Sequence, residues 1–454
     1  MTELETWLRR GVEAVDAWRR SFGGYEPHPA QRVDADRLES AFTEFVERLG
    51  NNYPYFHPDY VGQMLKPPHP VAVAGYLTAM LINPNNHAQD SGPATARMER
   101  EAVAQLAAMF GFATHLGHLT SSGTIANLEA LYVARESHPG RGVAYSADSH
   151  YTHGRMCGVL RMSGTSVPVD GRGRMDLDAL ERVLATGTVG TVVLTAGTTG
   201  LGAIDPIHEA LALRERYGVR LHVDAAYGGF FSLLAQESSP EQIPPQPWRA
   251  IAACDSVVID PHKHGLQPYG CGAVLFADPS VGRFYGHDSP YTYFTDAEFH
   301  LGEISLECSR AGAAAAALWL TLRVLPLTPD GLGRFLVASR RAAVAWAREI
   351  AGSAHLELYQ EPELDIVTYF PAAGSLAAVD AATAAVLAGG MKAADEPVYL
   401  SALRIDADAF ALRHPRVARD ADGARVLRSV LLKPEAETHL DRLRRIERLA
   451  ARAG

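Results

Sequence analysis

Apolar residues recur at helical spacing through residues 2–22 (Leu4, Trp7, Leu8, Val12, Val15 and Trp18), so the chain opens on an amphipathic helix. Pro27 and Pro29 break it, and a second helix is expected from about Asp34 to Leu49. Two helices have too little core of their own. This pair should pack on something else, such as another subunit. Residues 51–58 and 62–70 mix Asn, Pro and aromatics without a period, which predicts an ordered loop. A helix over Val71–Ile82 follows, then one from about Pro93 to Phe110 that stops at Gly111.

From Gly117 to Phe276 the pattern becomes short apolar runs alternating with amphipathic stretches. Strands are expected near His118–Thr120, Val143–Ser146, Ser166–Val169, Thr191–Thr195, Arg220–Val223, Ser256–Ile259 and Ala273–Phe276. Helices fall between several of them, at Ile125–Arg135, Leu177–Ala185 and Ile207–Tyr217. That alternation predicts an α/β fold with a mostly parallel sheet covered by helices. After a small-residue helix, Ala313–Val324, Pro326 and Pro329 mark a boundary. The remainder reads as helices around strands at Leu356–Tyr359, Ile366–Phe370, Leu400–Ile405 and Val426–Leu432, a smaller α+β domain.

Composition narrows the function classes. A chain of 454 residues can hold a large core and a satellite domain. A net charge of −10 argues against a nucleic-acid partner, which needs a basic surface. The four cysteines lack CxxC or zinc-type spacing, and the histidines form no ligand cluster with carboxylates or cysteines, so no metal is expected. The first twenty residues carry charges throughout, unlike a signal peptide, and Val71–Ile82 is too short to span a bilayer. A soluble, cytoplasmic protein without a membrane partner is the expectation.

Four segments carry candidate chemistry, each at an expected strand end. Thr120-Ser121-Ser122-Gly123-Thr124 turns a strand into a helix N-terminus, where free N–H groups and the Ser122 and Thr124 hydroxyls form an anion site. Alone, this could be an ordinary helix cap. His150 follows the strand Val143–Ser146, at the carboxyl edge where open α/β sheets bind ligands. Asp224 ends another strand, and a buried carboxylate there wants a cationic partner, while Ala226 is small enough to let a ring approach. Finally, Asp260-Pro261-His262-Lys263 follows an apolar strand and precedes a Gly/Pro-rich loop. An ammonium at the mouth of a buried strand is costly unless paired or used, for instance as a Schiff-base nucleophile.

In this order the four segments resemble the pyridoxal-phosphate (PLP)-dependent group II decarboxylases that act on aromatic amino acids, tyrosine, glutamate or aspartate. The resemblance runs from about His57 to Pro434. Gly270-Cys271-Gly272 and Ser309-Arg310-Ala311-Gly312 look most like the bacterial and archaeal tyrosine/aspartate decarboxylase branch. It implies a fold-type I PLP enzyme of aspartate aminotransferase type. An N-terminal helical segment (1–56) would pack on a partner subunit, a large domain (57–328) would hold a seven-stranded mostly parallel sheet, and 329–454 would form a small α+β domain. It further implies that Lys263 forms the Schiff base, Asp224 pairs with the pyridine nitrogen and His150 stacks on the ring. Gly123, Thr124 and His262, with Ser122, would hold the phosphate, and Thr198 would approach the ring substituents. The expected reaction converts an L-amino acid to its amine and CO2 in a homodimer with sites at the subunit interface.

Tyr291 or Tyr293, in the stretch that aligns with a mobile loop of relatives, or else His150, would protonate the carbanion left by CO2. Tyr55, His57, His69, His264 and Tyr269 are candidate contacts to the substrate side chain, and Arg404 or Arg428 could hold a carboxylate. His264 is a departure, because many relatives carry Trp or Met after the lysine. Alternatives that keep the cofactor are a C–C or C–S lyase, a transaminase or an oxidase, since fold alone does not decide chemistry. A catalytically silent binding relative is a further alternative.

Overall fold

The computed structural model describes residues 3–286, 300–393 and 396–453. The leading helices are α1 (Glu3–Arg20), α2 (Ala35–Leu49), α3 (Pro70–Met80) and α4 (Pro93–Phe110). The sheet region runs β1 (Leu116–Thr120), α5 (Gly123–Ser137), β2 (Gly142–Ser146), α6 (Thr152–Leu160), β3 (Gly164–Val167), α7 (Leu177–Leu184) and β4 (Val189–Thr195). It continues as α8 (Ile207–Tyr217), β5 (Arg220–Asp224), α9 (Gln246–Ala250), β6 (Ser256–Ile259) and β7 (Gly272–Phe276). Helices α10 (Gly312–Val324) and α11 (Gly333–Ala351) lead to β8 (Leu356–Gln360), β9 (Ile366–Pro371) and α12 (Leu376–Lys392). The chain ends with β10 (Ser401–Asp406), α13 (Ala407–Arg413), β11 (Gly423–Val430) and α14 (Arg444–Ala453).

Every strand expected between 117 and 276 is present, within two residues at each end. The larger sheet has the order β1-β7-β6-β5-β4-β2-β3. β4 lies inside it and is buried at all seven positions, which is why Val-Gly-Thr-Val-Val-Leu-Thr shows no polar alternation. Pairs β2–β3, β2–β4, β4–β5 and β5–β6 are parallel, while β7 runs antiparallel to both β6 and β1. A parallel return needs a long crossover, usually helical. The β6–β7 connection, residues 260–271, contains no helix, so the chain reverses and lays this loop across the carboxyl edge.

Register fixes what meets there. Thr195 pairs with Asp224, Asp224 with Val258, Ile259 with Ala273 and Thr120 with Gly272. The ends of β1, β4, β5 and β6 therefore converge on one line. The second sheet, β10-β11-β9-β8, is antiparallel. The apolar run Val426–Leu432 was expected as strand to its end. In fact β11 stops at Val430, and Leu431 and Leu432 are buried beyond the ladder, so burial rather than pairing made them apolar.

The leading helices behave differently from each other. α1 lies on α3, with Val15 buried and Arg19 Nη2 donating to Leu81 O at 2.7 Å. α2 buries no residue, and its Leu38, Phe42, Phe45, Val46 and Leu49 lie exposed at helical spacing. Among the described residues, no helix is long and apolar enough to cross a membrane.

Candidate active site

Lys263 sits where the chain leaves β6. Its N–H donates to Asp260 O, a tight turn that brings the side chain back over Asp260. Lys263 Nζ lies 3.0 Å from Asp260 Oδ2, with the carboxylate almost fully buried. His262 is held by Cys271 O, which accepts from its backbone N–H and from Nδ1 at 2.8 Å. A carbonyl only accepts, so Nδ1 carries the ring proton and Nε2 is left 3.6 Å from Asp260 Oδ2. Tyr269 packs against this imidazole, centroids 4.8 Å apart.

Asp224 ends β5, buried and already well supplied with donors. Oδ2 accepts from His153 Nε2 at 2.9 Å and from Asn127 Nδ2 at 3.3 Å, and Oδ1 from Ala226 N at 3.1 Å. Burial alone would raise its pKa; the hydrogen bond and charge of His153, then the Ala226 N–H, outweigh this and hold the carboxyl well below the usual range. His222, two residues earlier on the same strand face, is pushed down to about 3 by burial and is neutral. Its Nε2 meets Asn127 Oδ1 at 3.0 Å and its Nδ1 meets Ser256 Oγ at 2.9 Å, so Ser256, His222, Asn127 and Asp224 form one chain of hydrogen bonds.

The β1–α5 junction supplies the expected anion cradle. Ser122 caps α5 by accepting from Ile125 N, and Thr124 Oγ1 accepts from Thr152 Oγ1. A Cβ on Gly123 would come within 2.9 Å of all three Asp260 carboxyl atoms, so only glycine lets the helix start pass beside this side chain. Ser122, Gly123, Thr124, His150, Asp224, Ala226, His262 and Lys263 line one cavity of about 250 Å³. These eight residues lie at or just past the ends of β1, β2, β5 and β6, which the sheet order and register bring to one edge. Burial lowers the pKa of His150, so it enters the cavity as a neutral ring.

Not every expected residue belongs here. Thr198 is fully buried, its hydroxyl accepts from Ala203 N, and it borders an adjoining cleft rather than this cavity; Thr195 and Thr199 take the cavity wall. His264 is 1% exposed and lines neither the cavity nor the cleft. Its Nε2 is 2.8 Å from Asp365 Oδ2, its Nδ1 is 3.0 Å from Tyr227 O, and the Tyr227 hydroxyl donates to Asp365 Oδ1. His69 caps α3 and packs edge-on against Phe335. His57 pairs with Asp59, and Tyr55 packs edge-on against Tyr60. None of Tyr55, His57, His69 and His264 lines either cavity, because each is held by its own local partner. Arg428 gives its donors to the carbonyls of Gly62, Thr199 and Gly200 and to Ser401, and Arg404 is paired with Asp422. Tyr291 and Tyr293 lie outside the described residues.

Sequence reasoning missed His153, Asn127, His222 and Asp260. Two signals were available: His222 and Asp224 share a strand face at i, i+2, and Asn127 sits one turn into α5 from Gly123.

The donor set fits pyridoxal phosphate. An amine, a buried carboxylate and a glycine-opened helix start share one cavity, and two buried oxygens on its wall, Thr195 Oγ1 and Asp260 Oδ1, have no hydrogen-bond partner among the described residues. Fold and site together define a fold-type I pyridoxal-phosphate enzyme. Residues 54–370 match the family model described as "Pyridoxal-dependent decarboxylase conserved domain". The chain is 30% identical to an L-tyrosine decarboxylase of Enterococcus faecium, over 74% of this chain and 72% of that protein. It is 31% identical to a probable L-aspartate decarboxylase of Halobacterium salinarum, over 68% and 81%. Among solved structures, Oryza sativa TDC with PLP and tryptamine superposes with a TM-score of 0.79 at 17% identity, covering 99% of this chain and 98% of that one. Mouse CSAD in apo form gives 0.78 at 22%, covering 95% and 91%. The chain belongs to the pyridoxal-dependent decarboxylase family, and its chemistry is PLP-dependent amino acid decarboxylation.

Proposed function

We propose that Lys263, Asp224 and His150 are the working residues of this decarboxylase, and that its substrate carries an uncharged side chain. The observation that carries the reading is the meeting of lysine, buried carboxylate and helix N-terminus in one cavity. Ser122, Gly123, Thr124 and His262 would hold the phosphate, Asp224 the ring nitrogen, and Lys263 the aldehyde carbon. Bound there, the cofactor supplies an electron sink for the bond to the departing carboxylate. Asp224 remains ionised, so it holds a proton on whatever base it faces. His150, neutral and at the cavity wall, can bind the substrate carboxylate or move a proton to Cα; Tyr291 and Tyr293 are the other proposed donors.

The substrate side chain is assigned to the adjoining cleft of about 900 Å³, which shares His150, Tyr151 and Thr199 with the cofactor cavity. Asp148, Asp170, Asp406 and Asp408 line it, and its arginines are committed: Arg404 to Asp422, Arg428 to carbonyls, and Arg413 to the Tyr359 hydroxyl and Ala409 O. A carboxylate side chain would meet like charge without a free partner. A neutral side chain, as in the substrate named for the E. faecium relative, fits better than an acidic one.

A homodimer is part of the proposal. The bare apolar face of α2 and the exposed Trp7 and Trp18 of α1 favour a second copy as their cover. We place the protein in the cytoplasm, as its unpaired cysteines allow.

Borohydride reduction of the PLP-loaded protein, followed by peptide mapping, tests the centre of this reading. The sequence has only four lysines (Lys66, Lys263, Lys392 and Lys433), so the assignment is unambiguous. A pyridoxyl group on Lys263, with CO2 and amine formed in equal amounts from tyrosine-like substrates and little from aspartate, is expected. An adduct on another lysine would overturn the residue roles.

A further inference from the structure

Asp260 has no part in the roles above, yet it is the group nearest the reactive amine. Its Oδ2 is 3.0 Å from Lys263 Nζ, and its Oδ1 is buried without a hydrogen-bond partner among the described residues. The carboxylate is 3% exposed, and the space it fills exists because residue 123 has no Cβ. Charge of this kind is seldom buried without use.

We propose that Asp260 is the seat of Lys263 whenever its amine is free, holding it beside the turn and slowing its reaction with an aldehyde. The inference rests on Lys263 being the lysine that carries the cofactor. Lys263 must be released in every turnover. With its place on the cofactor taken by the substrate amine, Lys263 would have to rest within reach and out of the substrate's way, and Asp260 offers an oppositely charged seat from the same turn. The turn is itself fixed, since Lys263 N donates to Asp260 O. A flexible four-carbon stem on a fixed turn gives the amine two stations, one over the cavity and one on the carboxylate.

The other titratable groups facing the amine do not duplicate this. His262 Nε2 approaches the same oxygen from farther off, 3.6 Å from Oδ2. His150 and Tyr269 interact with Lys263 electrostatically, but His150 is neutral and the Tyr269 hydroxyl is held in its protonated form, by burial first. Asp224 is engaged by His153, Asn127 and Ala226. Asp260 is the carboxylate in direct contact.

The test uses the full-length apo protein, so it does not depend on turnover. The rate at which Lys263 is labelled by an amine-reactive reagent at one fixed pH is followed by peptide mass spectrometry, with Lys392 as an internal reference. In Asp260→Asn the labelling of Lys263 should be faster by about tenfold, the usual scale for removing an opposite charge at this distance, with the Lys392 rate unmoved. The variant should also combine with pyridoxal phosphate faster than wild type. Asp260→Ser, smaller and uncharged, serves if the asparagine variant does not fold. An unchanged Lys263 labelling rate in a folded variant overturns the inference while leaving the borohydride assignment of Lys263 intact. A pyridoxyl adduct elsewhere in wild type overturns both.

Discussion

The carboxyl edge of the large sheet and helix α2 differ in where their residues find partners. At the edge, Asp224, His222, His153 and Asn127 are all buried, and each hydrogen-bonds another residue of the chain. On α2, five large apolar side chains lie exposed, although their spacing is that of a core-facing stripe. A periodic apolar face states that something will cover it and leaves open what. A carboxylate at the end of a buried strand is more demanding, because leaving it unpaired would cost several kcal/mol. The first region is built from groups that meet within one chain, and the second carries an apolar face whose proposed cover is a second copy.

The largest expected effect breaks the first region at its centre. Lys263→Ala should lower turnover by roughly 10³-fold or more and abolish the borohydride-stable adduct, read by steady-state rates and mass spectrometry. Asp224→Asn should lower kcat by about 10²-fold or more, on the scale seen when one preorganised charge is removed, with a shifted visible spectrum of the loaded protein. A wild-type-like spectrum in that variant would refute the pairing of Asp224 with the ring nitrogen.

A smaller effect is expected one residue beyond the lysine. Removing one partner of the His264–Asp365 contact strands a buried carboxylate, so His264→Ala should destabilise the fold by about 3 kcal/mol in denaturant titration. The same pair gives a pH signature. Burial opposes ionisation of Asp365, but His264 and the Tyr227 hydroxyl outweigh it and hold the pKa below normal. A depressed carboxylate contributes stability above its unfolded pKa of about 4, and loses it as pH falls through the folded value. Wild type should therefore lose stability on acidification below about pH 4 faster than Asp365→Asn does.

The smallest effect on the fold belongs to the other region. Phe42→Ser with Phe45→Ser removes exposed side chains, so thermal unfolding of the monomer should change by less than about 0.5 kcal/mol. The mass measured by light scattering should nevertheless fall by half. An unchanged mass would mean that this face is not the dimer contact, and the contrast between the regions would lose its explanation.

Periodicity and strand-end chemistry were enough to read the architecture and the centre of the site. Seven strands, the helices between them and the convergence of Lys263, Asp224, His150 and the Gly123 helix start follow from local rules, because a buried strand shows as an apolar run and its carboxyl end is where polar residues resume. The substrate contacts did not follow. Tyr55, His57 and His69 looked like pocket residues from loop composition, but whether a loop side chain caps a helix, pairs with a neighbour or faces a cavity depends on chain brought in from elsewhere. His264 shows this most plainly: its sequence neighbour is the reactive lysine, while its bonding partner, Asp365, is 101 residues away at the edge of the second sheet. The apolar and polar pattern settled what each element would bury. Only the tertiary structure decided which polar groups would meet, since those meetings are set by strand register and by the packing of the two sheets.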